Sequence, residues 1–196
     1  MTMRISPRAV RGALVAAFVA ALLGSVGCGG GSSGGSGMTL PALSCSDGGP
    51  AGLNAVTMNC GGPIDGTTEQ VVVTIGGPAS GTTTLRGLNF NVTYDPTKLE
   101  WVPAASYTSP LFPNALILVV LANQQDPGTI VAALQQVGTD PDVVVTPGQH
   151  VVLNLTFKTV AGAAFDPTPL AFENADATSA SDPINFTSDL AVGYRP

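Results

Sequence analysis

A strict alternation of apolar and polar side chains around residue 90 constrains this chain more than any other segment. The apolar phase consists of Leu88, Phe90, Val92 and Tyr94. The polar phase consists of Asn89, Asn91 and Thr93. A period of two predicts a β-strand with one face in a core. Pro96 then ends the strand, because proline fixes φ and has no N–H for a sheet. A short apolar run over 99–102 resumes after this turn.

The rest of the chain repeats this pattern of short strands and turns. Val151, Leu153, Leu155 and Phe157 again alternate with polar residues, and no amphipathic helix pattern of useful length appears beyond about residue 50. Gly-Pro and Pro-Gly pairs separate the runs. We predict strands at 55–58, 70–75, 85–94, 99–102, 115–121, 129–136, 150–159, 169–172 and 189–192. Eight or nine short strands predict an all-β fold, a single two-sheet jelly-roll β-sandwich.

The N-terminal part has the composition of an export signal. Residues 1–27 carry three arginines and then an apolar run that is too short for a comfortable membrane span of about 20 residues. Cys28 follows directly and resembles the lipidated first residue of a bacterial lipoprotein, with ordinary signal cleavage and an incidental cysteine as the alternative. Residues 29–37 contain only Gly and Ser, which is typical of a flexible tether. We therefore expect an exported protein, either secreted or anchored in the cell envelope, most simply the outer membrane, through a lipid on Cys28.

Two cysteines remain in the folded part. Cys45 and Cys60 would meet an oxidising compartment after export, so the pair predicts a disulfide, with two free thiols as the alternative. A metal site is less expected because no histidine or third cysteine lies nearby. We assign residues 38–66 to an N-terminal extension closed by this disulfide and residues 67–196 to the sandwich.

The charge balance excludes one class of partner. The net charge is −6, and removal of residues 1–27 takes away three arginines and leaves −9. Nucleic-acid binding needs clustered Lys and Arg, so the acidic chain argues against it. No motif for nucleophilic, metal-dependent or phosphate chemistry is present, and His150 is the only histidine. We therefore expect no catalytic residues.

The order of strands and turns resembles the cohesin family, the β-sandwich modules that receive dockerin domains in cellulosome-type assemblies. The resemblance rests on the strand that ends in Tyr94-Asp95-Pro96, the following Leu99-Glu100-Trp101, and the late strand that ends in Thr156-Phe157-Lys158. It covers about residues 68–190 and is a pattern of strands rather than of chemistry; cellulose-binding modules share part of it. It implies a non-catalytic module that docks a dockerin-like protein.

The resemblance also implies which residues contact the partner. In cohesins, polar residues on the outward phase of the strand before Tyr-Asp-Pro bond to the dockerin, and two of these, an Asn and an Asp, correspond here to Gly87 and Asn89. Gly87 supplies no side chain, and Asn89 supplies an amide without charge. The implied partner-binding residues are Gly87, Asn89, Asn91, Thr93, Gln135 and Gln136. A solvated sheet surface is the alternative for each of them.

Three further alternatives stay open. A polysaccharide-binding module on the same sandwich would need exposed aromatic side chains, and Tyr107, Phe112 and Tyr194 are the surface candidates. Asp95 and the Asp140-Pro141-Asp142 segment can supply oxygen ligands for calcium or can simply form turns. The run 116–121 is apolar on both phases, which favours a central strand covered on both sides over an exposed patch for a protein partner.

Overall fold

The computed structural model describes residues 42–125, 127–160, 164–178 and 180–195. All regular structure in this part of the chain is β-strand, which confirms the all-β class, and the strands number fourteen rather than eight or nine. They are β1 (Ala42–Ser46), β2 (Ala55–Asp65), β3 (Thr68–Gly76), β4 (Thr83–Leu85), β5 (Gly87–Thr93), β6 (Leu99–Trp101), β7 (Ala115–Leu121), β8 (Thr129–Gln136), β9 (Val143–Val145), β10 (Gln149–Thr159), β11 (Phe165–Pro169), β12 (Ala171–Thr178), β13 (Asn185–Thr187) and β14 (Ala191–Arg195). The predicted signal segment, Cys28 and the tether lie outside the described residues.

Two larger sheets and two small ones contain these strands. The five-stranded sheet has the order β13-β2-β3-β10-β6, and the four-stranded sheet has the order β12-β5-β8-β7. A three-stranded sheet, β1-β14-β11, and the pair β4-β9 complete the architecture. Apart from the parallel pair of β13 and β2, all described strand pairs are antiparallel. Neighbouring antiparallel strands and polar outer faces are typical of a sandwich built from hairpins and longer crossovers.

The core lies between the two larger sheets. On β5 and β8 every second side chain is buried, as the period of two predicts, and the same is true of β3. Tyr94 and Phe157 make an edge-to-face contact with ring centroids 5.2 Å apart. Phe90 contacts Phe172 on its own sheet at 5.3 Å and Phe186 of β13 at 6.4 Å, so aromatic rings link the two sheets.

The late strand β10 departs from the predicted simple alternation. A β-bulge between Val151 and Leu153 shifts its register against β3. As a result Val152 and Leu153 are both fully buried, whereas Val151 is only half-buried. One extra residue in a strand reverses the alternation, so that residues before the bulge and residues after it no longer share a face at every second position. The alternation of Leu153, Leu155 and Phe157 into the core is as predicted.

Two predicted boundaries differ from the observed ones. The predicted strand 85–94 is divided at Arg86, because β4 pairs with β9 whereas β5 pairs with β8 and β12. Arg86 donates to the carbonyl oxygens of Gly138 and Asp140 and to the carboxylate of Asp142, which fixes the chain at this crossing. The predicted boundary between residues 66 and 67 falls in the hairpin turn that joins β2 to β3. Residues 55–65 are therefore part of the five-stranded sheet.

The three-stranded sheet is joined covalently to the five-stranded one. Cys45 on β1 and Cys60 on β2 form a disulfide, with Cα atoms 5.8 Å apart. A hydrogen bond from the Cys60 N–H to the Asp47 carboxylate, 2.7 Å long, lies beside it. β1 pairs in turn with β14 near the C-terminal end of the chain.

Candidate functional site

The outer face of the four-stranded sheet brings most of the predicted binding residues together. Here "the outer face" means the side chains of β12, β5, β8 and β7 that point away from the core. Side chains alternate along each strand, so every second residue contributes. With strands about 4.8 Å apart, the face is about 14 Å wide from β12 to β7. Its members are Ala171, Glu173, Asp176 and Thr178 on β12, Gly87, Asn89, Asn91 and Thr93 on β5, Thr129, Val131, Ala133 and Gln135 on β8, and Leu116, Leu118 and Val120 on β7.

The second strand of this face, β5, supplies a row of polar side chains. Asn89, Asn91 and Thr93 are half-buried and lie on the phase opposite to the core residues of β5. The Asn89 side-chain amide donates to the Thr178 hydroxyl at 3.1 Å, which fixes its orientation toward β12. The Thr93 hydroxyl donates to the Ala171 carbonyl oxygen at 3.4 Å. Asn91, between them, has its amide available at the centre of the face.

Gly87 contributes only its backbone to the outer face and no functional side chain. A Cβ at this position would collide with the carbonyl oxygen of Leu134 and lie 2.9 Å from Oε1 of Gln135. Because the neighbouring strand approaches so closely, the position has no room for the side chain that the cohesin pattern places there. The absence of a side chain at Gly87 is therefore a packing requirement of this sheet.

Gln136 is the one predicted binding residue that faces the wrong way. Gln135 is half-buried on the outer face, whereas Gln136 is 6% exposed and belongs to the core phase of β8. Two successive strand residues point to opposite sides of a sheet, so both glutamines cannot line one face. The prediction for Gln136 is wrong for this reason. Its buried Oε1 has no hydrogen-bond partner among the described residues.

The apolar run 116–121 forms the exposed edge of the same face. The prediction of a central strand covered on both sides is wrong, because β7 is the terminal strand of the sheet. Leu116, Leu118 and Val120 are 67%, 51% and 41% exposed. They lie opposite Gln135, Ala133 and Val131 in the register with β8. Aliphatic side chains therefore form this part of the face, on β7 and at the two central positions of β8.

The opposite edge of the face is acidic. Glu173 and Asp176 are exposed on β12 and lie opposite Asn91 and Asn89. No lysine or arginine is among the outer-face residues, and the described cationic side chains form ion pairs elsewhere. Those pairs are Arg86 with Asp142 at 3.0 Å, Lys98 with Asp95 at 3.4 Å and Lys158 with Glu100 at 3.1 Å. The face thus changes from carboxylate to amide to aliphatic across its width.

The sequence-based prediction of the residues on this face was also incomplete. The predicted strand at 169–172 includes only the first two residues of β12, so Glu173 and Asp176 were missed. Val131 and Ala133 were missed as well, although side chains alternate along any strand and these two therefore share the phase of Gln135. The alternative interpretation of 116–121 as an exposed patch did identify the aliphatic edge.

An aromatic platform for sugar is absent from the described residues. None of the aromatic side chains in this part of the chain is fully exposed. Phe112, predicted at the surface, is 1% exposed and packs in the core, and its N–H bonds the Ser109 hydroxyl. Tyr107 is half-buried and stacks on Trp101, and Tyr194 is half-buried beside Phe165. Stacking on a flat sugar ring requires an accessible aromatic face.

Two of the three aspartates considered for calcium, Asp95 and Asp142, are engaged in local structure. The described residues contain no group of three or more side chains suited to hold a metal ion. Asp95 accepts hydrogen bonds from the N–H and hydroxyl of Thr97, which hold the pKa of the Asp95 carboxyl below its usual value, with a smaller effect of Lys98. Asp142 pairs with Arg86.

His150 places Nε2 2.8 Å from the Thr146 carbonyl oxygen. The described part of the chain contains no helix long and apolar enough to cross a membrane.

Comparison with known proteins identifies the fold. The chain matches no family model and no curated protein. Among solved structures, the third cohesin of ScaC from Acetivibrio cellulolyticus, in complex with the ScaB dockerin, matches with a TM-score of 0.50 and 12% identity over 68% of this chain and 93% of that one. The seventh ScaB type I cohesin of Pseudobacteroides cellulosolvens gives 0.48 and 16% over 70% and 88%. The sixth cohesin of scaffoldin B from Acetivibrio cellulolyticus gives 0.47 and 20% over 70% and 95%.

The similarity to the ScaC cohesin, with a TM-score of 0.50, defines the class of protein by its fold. The chain is an all-β sandwich with the fold of cohesin domains. At this level of identity the similarity establishes the fold alone, and the function has to be argued from the residues of the outer face.

Proposed function

We propose that this chain is a non-catalytic protein-docking module that binds a dockerin-like partner on the outer face of its four-stranded sheet. The observation that carries the proposal is the composition of that face. Three exposed aliphatic side chains, two small apolar ones and a row of amides form a continuous surface whose centre carries no charge. Cores of protein interfaces are depleted in charge and enriched in apolar area, with polar groups at the rim.

The continuity of the exposed apolar side chains supports the same surface. Exposed leucines and valines are unremarkable when scattered, but Leu116, Leu118 and Val120 are contiguous along one strand and continue into Val131 and Ala133. Contiguous apolar patches on soluble domains mark binding surfaces. The half-buried Asn91 amide next to them can donate and accept hydrogen bonds, which gives orientation to an otherwise apolar contact.

The comparisons support a protein as the partner. The cohesin of ScaC was solved in complex with a dockerin, and the sixth cohesin of scaffoldin B with the Cel5 dockerin. The present face differs from the cohesin pattern at two positions. Gly87 has no side chain, and the amide of Asn89 is already bonded to Thr178. We therefore expect a partner that depends more on the aliphatic edge and on Asn91 than on the Gly87 and Asn89 positions.

We also propose export and attachment to the cell envelope. The basic and apolar residues 1–27, Cys28 and the Gly/Ser segment 29–37 support this location. A lipid on Cys28 and a tether of this composition would hold the module off the membrane while leaving its faces accessible. Mass spectrometry of the mature N-terminus tests this part: a diacylglyceryl group on Cys28 supports it, and an unmodified N-terminus at another residue refutes the attachment through Cys28.

The docking experiment uses the full chain immobilised and a panel of purified dockerin modules, together with the secreted proteins of the organism that encodes it. We expect saturable binding of a dockerin-like protein that is lost in Asn91→Lys, because a long charged side chain would stand at the uncharged centre of the face. Val144→Lys is the matched control. Val144 is 53% exposed on β9, in a different sheet, and the same charge change there should leave binding intact.

Insoluble polysaccharides are tested in parallel as the alternative ligand. Equal loss of binding in Asn91→Lys and Val144→Lys would show that charge rather than the outer face is responsible, and would refute the assignment of the face. Retention on polysaccharide without any protein partner would refute the docking proposal itself.

A further inference from the structure

The edge strand β7 offers backbone hydrogen-bonding groups that β8 does not use. The Ala122 N–H bonds the Thr129 carbonyl oxygen, which identifies these two residues as a hydrogen-bonded pair of the antiparallel ladder. Hydrogen-bonded pairs recur at every second residue, so the groups of Leu116, Leu118 and Val120 also face β8. The N–H and C=O groups of the residues between them point away from the sheet. These free-edge residues are Ile117, Val119 and Leu121.

No described segment occupies this free edge. Outside the β7–β8 ladder, none of the three free-edge residues has a backbone hydrogen bond to a described loop. A groove of about 650 Å³ borders the C-terminal half of β7, lined among others by Trp101, Val119 and Leu121. Val119 is 8% exposed and Ile117 and Leu121 are half-buried, since their side chains lie on the core phase, but no described strand pairs with their backbone groups on this side.

The strand also lacks the devices that normally protect a sheet edge. Natural edges are blocked by charged side chains, proline or a β-bulge. β7 contains no charged residue and no proline, and its register with β8 is regular throughout. The absence of charge extends well beyond the strand, because no Asp, Glu, Lys or Arg occurs between Glu100 and Asp126. An apolar edge of seven residues without these devices is a template for pairing with another strand.

We propose that β7 pairs antiparallel with β7 of a second copy of this chain, around a two-fold axis at Val119. In that register Val119 faces Val119 of the partner subunit, and Ile117 faces Leu121 of the partner subunit. The free backbone N–H and C=O groups of these three residues would then hydrogen-bond to the same groups of the second copy. The edge is therefore self-complementary, as a two-fold interface requires. Because β7 can pair with itself, a second copy of this chain supplies the matching strand and no other protein is needed.

Charge favours a second copy at this place rather than elsewhere on the surface. The chain carries a net charge of −6, so two copies repel one another over most of their surfaces. The uncharged segment between Glu100 and Asp126 is where two acidic chains can meet without opposing carboxylates. The acidic edge at Glu173 and Asp176 is on β12, at the far side of the sheet from the two-fold axis.

The pairing goes beyond the proposed docking function and does not depend on it. Two four-stranded sheets would join into one eight-stranded sheet, with Leu118 beside Val120 of the partner subunit on the outer face. The two docking faces would then lie side by side. A partner with two binding elements would gain affinity from such an arrangement without any new contact, since its second binding step becomes intramolecular.

The test is the mass of the full chain by sedimentation velocity from about 1 to about 100 µM, a range that covers interfaces of ordinary strength. We expect a monomer–dimer equilibrium. Hydrogen exchange at the same concentrations should show the amides of Ile117, Val119 and Leu121 becoming protected as the dimer forms. Leu118→Lys should weaken the dimer about tenfold or more, because each dimer carries the substitution twice and loses two cross-strand aliphatic pairs. Val144→Lys should leave the dimer unchanged.

Three results would overturn the proposal. One is a chain that stays monomeric over the whole range. Another is a dimer that forms without protection of the three free-edge amides, which would place the contact on a different surface. The third is an equal effect of Leu118→Lys and Val144→Lys. Should Leu118→Lys fail to fold, the exchange measurement on the unsubstituted chain decides alone.

Discussion

Loss of the disulfide between Cys45 and Cys60 should cost a calculable part of the stability of this domain. The perturbation is the double substitution Cys45→Ser/Cys60→Ser. In the folded state the two strands remain held together without the bond, because β1 stays paired with β14 and the Cys60 N–H still bonds Asp47. The main effect is therefore expected in the unfolded chain, which gains conformational freedom when the crosslink is absent.

The magnitude follows from the length of the closed loop. The cysteines are separated by 15 residues, for which the chain-entropy model gives about 3 kcal/mol at 25 °C. For a domain of this size, a change of 1 kcal/mol shifts Tm by about 2–4 °C, so we expect Tm to fall by about 6–12 °C.

Urea unfolding of the oxidised protein, the reduced protein and the double variant measures this change. The reduced protein is the control for the sulfur atoms, because it keeps both of them and lacks only the bond. Both altered forms should lose about the same free energy of unfolding. If neither differs from the oxidised protein by more than about 1 kcal/mol, the loop entropy argument fails for this domain. Labelling of either cysteine by a thiol reagent in the unreduced protein would show that the bond itself is absent.

Three other predictions concern single buried side chains. Glu69 is 1% exposed, and burial raises the pKa of its carboxyl, so wild-type stability should fall as pH rises from the unfolded-state pKa through the folded-state pKa. Glu69→Gln should remove that fall and be more stable at neutral pH, as thermal unfolding at several pH values would show; a parallel pH profile contradicts it. Gln136→Leu should raise the free energy of unfolding in urea by about 1–3 kcal/mol, because it removes a buried oxygen without a partner, and should leave partner binding unchanged; reduced binding would return Gln136 to the site. Phe90→Ala should lower the unfolding free energy by about 3–5 kcal/mol, since its ring links Phe172 and Phe186, and a loss below 1 kcal/mol would contradict the packing described.

The alternating strands were the predictable part of the fold. Each polar residue of β5 has an apolar neighbour on either side, so sequence alone distinguishes its core face from its outer face. The same pattern located most of β10. Strands of three residues, such as β9 and β13, are too short to show a period, and β11 contains two prolines that argue against a strand. Their existence depends on tertiary neighbours.

The outer face was predictable only in part, for a related reason. Asn89, Asn91 and Gln135 follow from strand phase, and Gln136 was misplaced although the same phase excludes it. The apolar run on β7 has no polar phase, so its pattern is the same for a strand in the middle of a sheet and for a strand at its exposed edge. Only the order of strands in the sheet distinguishes the two cases. Sequence patterns report which residues are apolar along a strand but not whether another layer covers them.

The disulfide also has a mechanical consequence for a module held at its N-terminal end. β1 is the first described strand, and its antiparallel pairing places Ala42 opposite Arg195. Force applied at Ala42 would peel β1 away from β14 one hydrogen bond after another, which is the weaker direction for a β-ladder. Peeling stops at Cys45, because the covalent bond passes the load directly to Cys60 on β2, inside the five-stranded sheet. A load between the N-terminal end and a partner on the outer face would therefore be carried by the packed sandwich, and the force needed to extend the chain should drop when the disulfide is reduced.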